Sequence, residues 1–194
     1  MALPKFDKSQ RRKNYEQLPK GAYVVKIMGA VQEPNRNGKG EHVKIIVDIA
    51  EGDFKGYFSR IYEANTNEDK KWPNDGTFYL TVPNDDSPGF VWTNYASFLS
   101  DLEDSNPGYS FNQSIEGFRN KIIGGKFALE QSEYNGKVYN HVRMRWTCVA
   151  EDVRNGRPGR MPNDKFISGS GTTVKTDDEG FMEVSDGLAE ELPF

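Results

Sequence analysis

The stretch Val138-Tyr139-Asn140-His141-Val142-Arg143-Met144-Arg145-Trp146-Thr147-Cys148-Val149 decides how this chain reads. Its side chains alternate with period two, the spacing that sends neighbours to opposite faces of a β-strand. Val138, Asn140, Val142, Met144, Trp146 and Cys148 form a mostly apolar face that suits a core. Tyr139, His141, Arg143, Arg145 and Thr147 form the other, with two rings and then two guanidinium groups in line. Rings offer flat surfaces for bases, and arginines offer charge for phosphates. Taken alone, the strip is equally an exposed strand face kept soluble by charge.

The strand is entered through Asn135-Gly136, between Tyr134 and Lys137. That dipeptide is the strongest short signal for a type I′ hairpin turn. It joins a fourth strand, Lys126 to Gln131 with Phe127 and Leu129 inward, and sets Tyr134 and Lys137 at a tip beside Tyr139. Gly124-Gly125 marks the start of that strand, and residues 114–123 read as a connector of unassigned type. Upstream, Val91, Tyr95, Phe98, Leu99 and Leu102 make an amphipathic stripe, so Phe90 to Leu102 is predicted helical. Asn106-Pro107-Gly108 stops it.

The first strand is predicted over Gly21 to Val31, rich in β-formers. A Pro/Asn/Gly loop, Glu33 to Gly40, follows and carries Arg36 and Lys39. The second strand, Glu41 to Ala50, alternates cleanly: Val43, Ile45, Val47 and Ile49 face one way, His42, Lys44, Ile46 and Asp48 the other. Phe54 to Tyr62 reads as a third strand after the Gly52-Asp53 turn. Lys55 and Tyr57 are its outward pair in one register; Phe58, Arg60 and Tyr62 are outward in the other. Asn65 to Asp75 is a polar insertion or loop in which Lys70, Lys71 and Trp72 form a basic-aromatic cluster that extends a binding groove, or Trp72 pins the loop to the body, the second reading slightly ahead. Thr77 to Val82 reads as a short extra strand, broken by Pro83 to Gly89.

The length of 194 residues suits one domain with a tail. No apolar run approaches the ~20 residues of a membrane span, and no signal-peptide core opens the chain, so a cytoplasmic protein is expected. The single cysteine, Cys148, predicts a buried thiol. The net charge of −4 hides a split. Residues 1–160 hold 23 Lys+Arg against 21 Asp+Glu, a net of +2, and residues 161–194 hold 2 against 8, a net of −6. Such asymmetry points to a nucleic-acid-binding body with an acidic tail. Residues 1–20 form a basic N-terminal arm, 21–153 the body and 154–185 a flexible linker rich in Gly, Pro and Ser.

Three strands, a helix and a two-strand hairpin resemble the OB-fold, a mainly β, five-stranded barrel with its helix between strands three and four. That fold binds oligonucleotides on the face of strands two and three and with loops 1–2 and 4–5. Here these are His42 and Lys44, Lys55, Tyr57, Phe58 and Arg60, the Arg36/Lys39 loop, Trp72 beside them, and the Tyr134/Lys137 hairpin. The strip Tyr139, His141, Arg143 and Arg145 adjoins it. The last residues, 186–194, end in Glu190-Glu191-Leu192-Pro193-Phe194. This is similar to the acidic tip of bacterial single-stranded DNA-binding proteins, in particular those of phages and prophages of Gram-positive bacteria. It has two adjacent acidic residues where the familiar tip has three or more. The resemblance implies a protein that coats single-stranded DNA and recruits replication, recombination or repair proteins through the tip. Phe194 would present a ring and a carboxylate together, with Glu190 and Glu191 steering toward a basic rim.

An enzyme is the first rival. The chain lacks a Walker-type loop, a Ser elbow and a His-Glu-x-x-His helix. Its two histidines, His42 and His141, lack a third metal ligand, so neither metal nor cofactor is expected. The second rival is an OB-fold adaptor of a phage replisome with little DNA affinity. Solvent-facing Tyr57, Tyr139 and Arg143 would separate it from a DNA binder. Oligomeric state is left open.

Overall fold

The computed structural model describes residues 17–35 and 38–167, and the backbone of 175–176 and 182–183. Residues 1–16 of the N-terminal arm, Arg36, residues 168–174, 177–181 and 184–185 of the linker, and the tip Glu190 to Phe194 lie outside the described residues.

The chain is mainly β. Five strands form one antiparallel sheet: β1 Gly21–Pro34, β2 Glu41–Ile49, β3 Thr77–Val82, β4 Ile122–Tyr134 and β5 Lys137–Cys148. Among the described residues three α-helices accompany it: α1 Tyr57–Ala64, α2 Gly89–Ser105 and the short α3 Ala150–Arg154. The strand order is β3-β2-β1-β4-β5, with α2 between β3 and β4 in sequence. The sheet ends, β3 and β5, approach each other without forming a hydrogen-bonded ladder, so the expected barrel is not closed. Two further short strands, β6 Lys175–Thr176 and β7 Met182–Glu183, pair only with each other.

The core is laid down by the alternation seen in β2. Val43, Ile45, Val47 and Ile49 are all buried, against Val25 and Ile27 of β1 and Ile123 and Phe127 of β4. Phe98 and Leu102 of α2 close one end, as their helical spacing predicts. Cys148 is buried, and that burial pushes its thiol up to about 11. The β4–β5 turn has φ of 51° at Asn135 and 71° at Gly136, the two positive values that a type I′ turn requires.

The predicted third strand is a correction. Residues 54–56 are turn, and 57–64 form α1; the sheet's third strand is instead Thr77–Val82. Gly56, at φ 71°, takes a left-handed conformation that L side chains rarely adopt, and so breaks the extension. Asp48, buried on β2, then receives the first turn of the helix. Its Oδ1 accepts from Phe58 N at 2.9 Å, and its Oδ2 accepts from Ser59 N at 3.3 Å and from the Ser59 hydroxyl. A carboxylate there satisfies orphan N–H groups and meets the positive end of the helix. In a helix the aromatics need not alternate: Phe58 is fully buried while Tyr57 packs edge-on to Phe54 and Phe58.

Asp48→Ala is therefore expected to destabilise the fold by about 1–3 kcal/mol, because buried donors lose their acceptor. Urea denaturation reads this directly; an unchanged midpoint would remove Asp48 from the account of α1.

The chain does not leave the sheet at residue 154. Arg154 pairs with Glu51 at 2.7 Å, and the resulting hydrogen bonds hold the Glu51 carboxyl below its ordinary value. Arg160 O accepts from Lys126 Nζ at 3.1 Å, and Asp164 Oδ1 from Leu129 N at 3.0 Å. Lys165 bridges to β4 through Lys165 N to Leu129 O and Gln131 N to Lys165 O, both 2.9 Å. The packed body thus extends to Ile167, past the boundary expected at 153.

Candidate nucleic-acid interface

Period two holds in β5 from His141 to Met144. Val142 and Met144 are buried, and Tyr139, His141 and Arg143 turn outward. A bulge then intervenes. Lys126 pairs with Trp146 and Phe127 with Met144, leaving Arg145 as the extra residue of β5. An extra residue re-aims the side chains that follow it. Trp146, expected in the core, is accordingly 43% exposed, whereas Cys148, two residues on, is buried next to Gly124 and Val153 of α3 rather than in the main core cluster. Val138 and Asn140 are also exposed, because the hairpin tip projects past the core.

The outward strip is not a bare row of cations. Arg143 Nε donates to Asp75 Oδ1 at 3.1 Å, and His141 Nδ1 lies 3.2 Å from the same oxygen. Glu130 of β4 gathers Arg143 at 3.6 Å, Arg145 at 3.4 Å and Lys165 at 3.7 Å. His141 Nε2 is 3.0 Å from the Ser132 hydroxyl. Two carboxylates thus hold three permanent cations and a histidine along the gap between β3 and β5. Arg143, Arg145, Glu130 and Lys165 line a cavity of about 420 Å³ in that gap.

Other candidates sit elsewhere. On the β2–β3 face, Lys44 lies opposite Tyr79, and His42 lies opposite Thr81. The His42 ring tilts against Tyr79 at 5.4 Å, with Nδ1 2.8 Å from Asn35 Oδ1 and Nε2 3.9 Å from Glu33. Lys39 is exposed in the β1–β2 loop, which Asn35 ties together through its amide to Lys39 O at 2.7 Å. Tyr134, 70% exposed, Lys137 and Tyr139 stand out on the β4–β5 hairpin.

Three expectations are corrected. Phe58 is core, not a stacking platform. The Tyr57 hydroxyl accepts from Leu18 N at 3.1 Å and its ring packs among aromatics, so it is scaffold. Lys55 and Arg60 are exposed, but beside α1 rather than on a sheet face, and the Arg60 guanidinium donates to Lys55 O. Trp72 pins its loop, the reading put slightly ahead: Nε1 donates to Gly76 O at 3.0 Å, and its ring lies 5.5 Å from Tyr62.

Sequence reasoning missed Tyr79, Phe90 and Trp146 as surface rings, 52%, 67% and 43% exposed. Tyr79 was within reach, since Thr77, Tyr79 and Thr81 alternate with Phe78, Leu80 and Val82. Among the described residues, no three His, Cys, Asp or Glu side chains gather as a metal site would need, and no helix is long and apolar enough to cross a membrane. No known family matches the chain, and no curated protein is similar to it.

Proposed function

We propose that this chain is a non-enzymatic single-stranded DNA-binding protein of the OB type, acting in the cytoplasm in replication, recombination or repair. The observation that carries the reading is the strip along the β3–β5 gap. Tyr139, Arg143, Arg145 and Trp146 follow one another on β5, with Tyr79 presented by β3. Rings at this spacing accept bases whatever their identity, and the interleaved cations track the backbone. The strand order and the helix between β3 and β4 support an OB barrel parted at its β3–β5 seam. In this reading the tip Glu190 to Phe194 docks replication or repair proteins.

The ion pairs of Arg143 and the packed Tyr57 favour a second reading, the adaptor with little DNA affinity. Fluorescence anisotropy with labelled oligo-dT and a duplex of equal length, at two salt concentrations, decides between them. Salt-weakened binding to the single strand alone is the expected result. Absence of binding at low salt overturns the proposal and leaves the adaptor.

A further inference from the structure

We infer that the cavity enclosed by β3, α2 and the end of β5 is a nucleobase pocket, so that one position of a bound strand is read for its base. The inference rests on the strand-binding reading above and adds a preference among bases to it.

The cavity is about 330 Å³, within the ~300–1,000 Å³ range of small-ligand sites. Its floor carries the ring of Phe78, backed by the buried Phe98 on which it stacks at 5.9 Å with 22° between planes. Its mouth carries Phe90 and Trp146, rings that solvent reaches. An aliphatic ligand would leave the polar side of the cavity unanswered, because Asn94 and the strand edges also line it. As the two ends of the sheet, β3 and β5 each have one partner strand, so the backbone groups of their facing edges point into the gap. In-plane donors and acceptors between aromatic walls suit a heteroaromatic ring with hydrogen-bonding edges.

A second observation points to a ring that carries a phosphate. Arg145 lines both this cavity and the neighbouring one, which Arg143 and Lys165 share. A base seated on Phe78 would place its own phosphate beside Arg145 and the next phosphates along the cation row. The bulge at Arg145 is what makes this work. It brings Trp146 to the mouth of one cavity while keeping the guanidinium between the two. Asn94, an amide that can both donate and accept, is the side chain placed to discriminate base edges.

The test titrates the full-length chain with labelled oligo-dT, oligo-dC and oligo-dA by anisotropy. Asn94→Ala, Trp146→Ala and Trp146→Phe are measured alongside, and circular dichroism checks that each is folded. The wild type is expected to separate the three strands by about fivefold or more, the scale of one well-placed base contact. Asn94→Ala should bring them within about twofold of one another without changing the salt dependence. Trp146→Ala should weaken every strand, and Trp146→Phe should restore binding. Equal affinities in the wild type, or a preference that survives both Asn94→Ala and Trp146→Ala, overturns the pocket while leaving strand binding in place. Failure to bind any homopolymer removes the strand-binding reading and the pocket together. Tight binding of free deoxynucleoside monophosphates without strand binding overturns both in favour of a free-nucleotide site.

Discussion

Phe58→Ala is expected to lower the stability of the folded chain by about 3–5 kcal/mol, the range for deleting a fully buried ring. Phe58 has no exposed surface. It stacks on Phe127 at 6.2 Å and meets Tyr57 edge-on at 5.1 Å. Its ring also lies where a Cβ on Gly76 would fall, 2.7 Å from Phe58 Cγ, so it packs against the loop that leads into β3. Losing it opens a cavity between α1, β4 and that loop. Against a net stability of ~5–15 kcal/mol for a domain, a change of this size separates a folded variant from a partly unfolded one. Thermal and urea denaturation read the loss. A variant with an unchanged melting midpoint but weakened DNA binding would return Phe58 to the role of stacking platform.

The misreading at Phe58 has a physical origin. Phe-Lys-Gly-Tyr-Phe-Ser-Arg-Ile-Tyr is dense in aromatics, and aromatics favour strands only as far as they pack on a pleated face. What made the segment helical was a buried acceptor, Asp48, ten and eleven residues upstream of the amides it satisfies. No local pattern shows that contact, whereas the glycines that flank the turn, Gly52 and Gly56, were visible in the sequence. Elsewhere local patterns sufficed. The alternation of β2, the Asn135-Gly136 turn and the stripe of α2 each appear where the residues demand them.

Gly124 shows the opposite failure. It reads as a break before the fourth strand, yet it lies inside β4, paired with Cys148. A Cβ there would meet Cys148 Sγ at 2.6 Å and Cys148 O at 2.8 Å, so the glycine permits a close approach of β5 and α3 rather than ending a strand. At the interface, the strip on β5 was legible up to Met144, and the bulge that turns Trp146 outward was not, because a bulge belongs to the pairing of two strands. The carboxylates that hold the strip were equally hidden. Asp75 bonds Arg143 across 68 positions of sequence.

Those carboxylates set the terms of the largest functional effect. The double substitution Arg143→Ala/Arg145→Ala is expected to lower single-stranded DNA affinity on the order of 100-fold at low salt. Charge-assisted hydrogen bonds are worth ~1.5–3 kcal/mol each, and the lower end applies because both arginines already have anionic partners. The slope of log K against log salt should become shallower by about 1.4, from two phosphate contacts at ~0.7 each. The fold should barely respond. After the substitution Glu130 keeps Lys165 at 3.7 Å and Asp75 keeps His141 at 3.2 Å, and partly exposed ion pairs contribute about 1 kcal/mol or less. Glu130→Gln tests the same site with the opposite sign. Removing that charge leaves Arg143, Arg145 and Lys165 without their shared anion, so affinity for the strand should rise and remain salt-dependent. A phosphate entering the wild-type site must compete with a carboxylate already in place; in the Glu130→Gln variant it need not. If Glu130→Gln weakens binding instead, the carboxylate orients the arginines for the phosphate rather than competing with it. If neither variant changes affinity, the β5 strip is not where the strand binds.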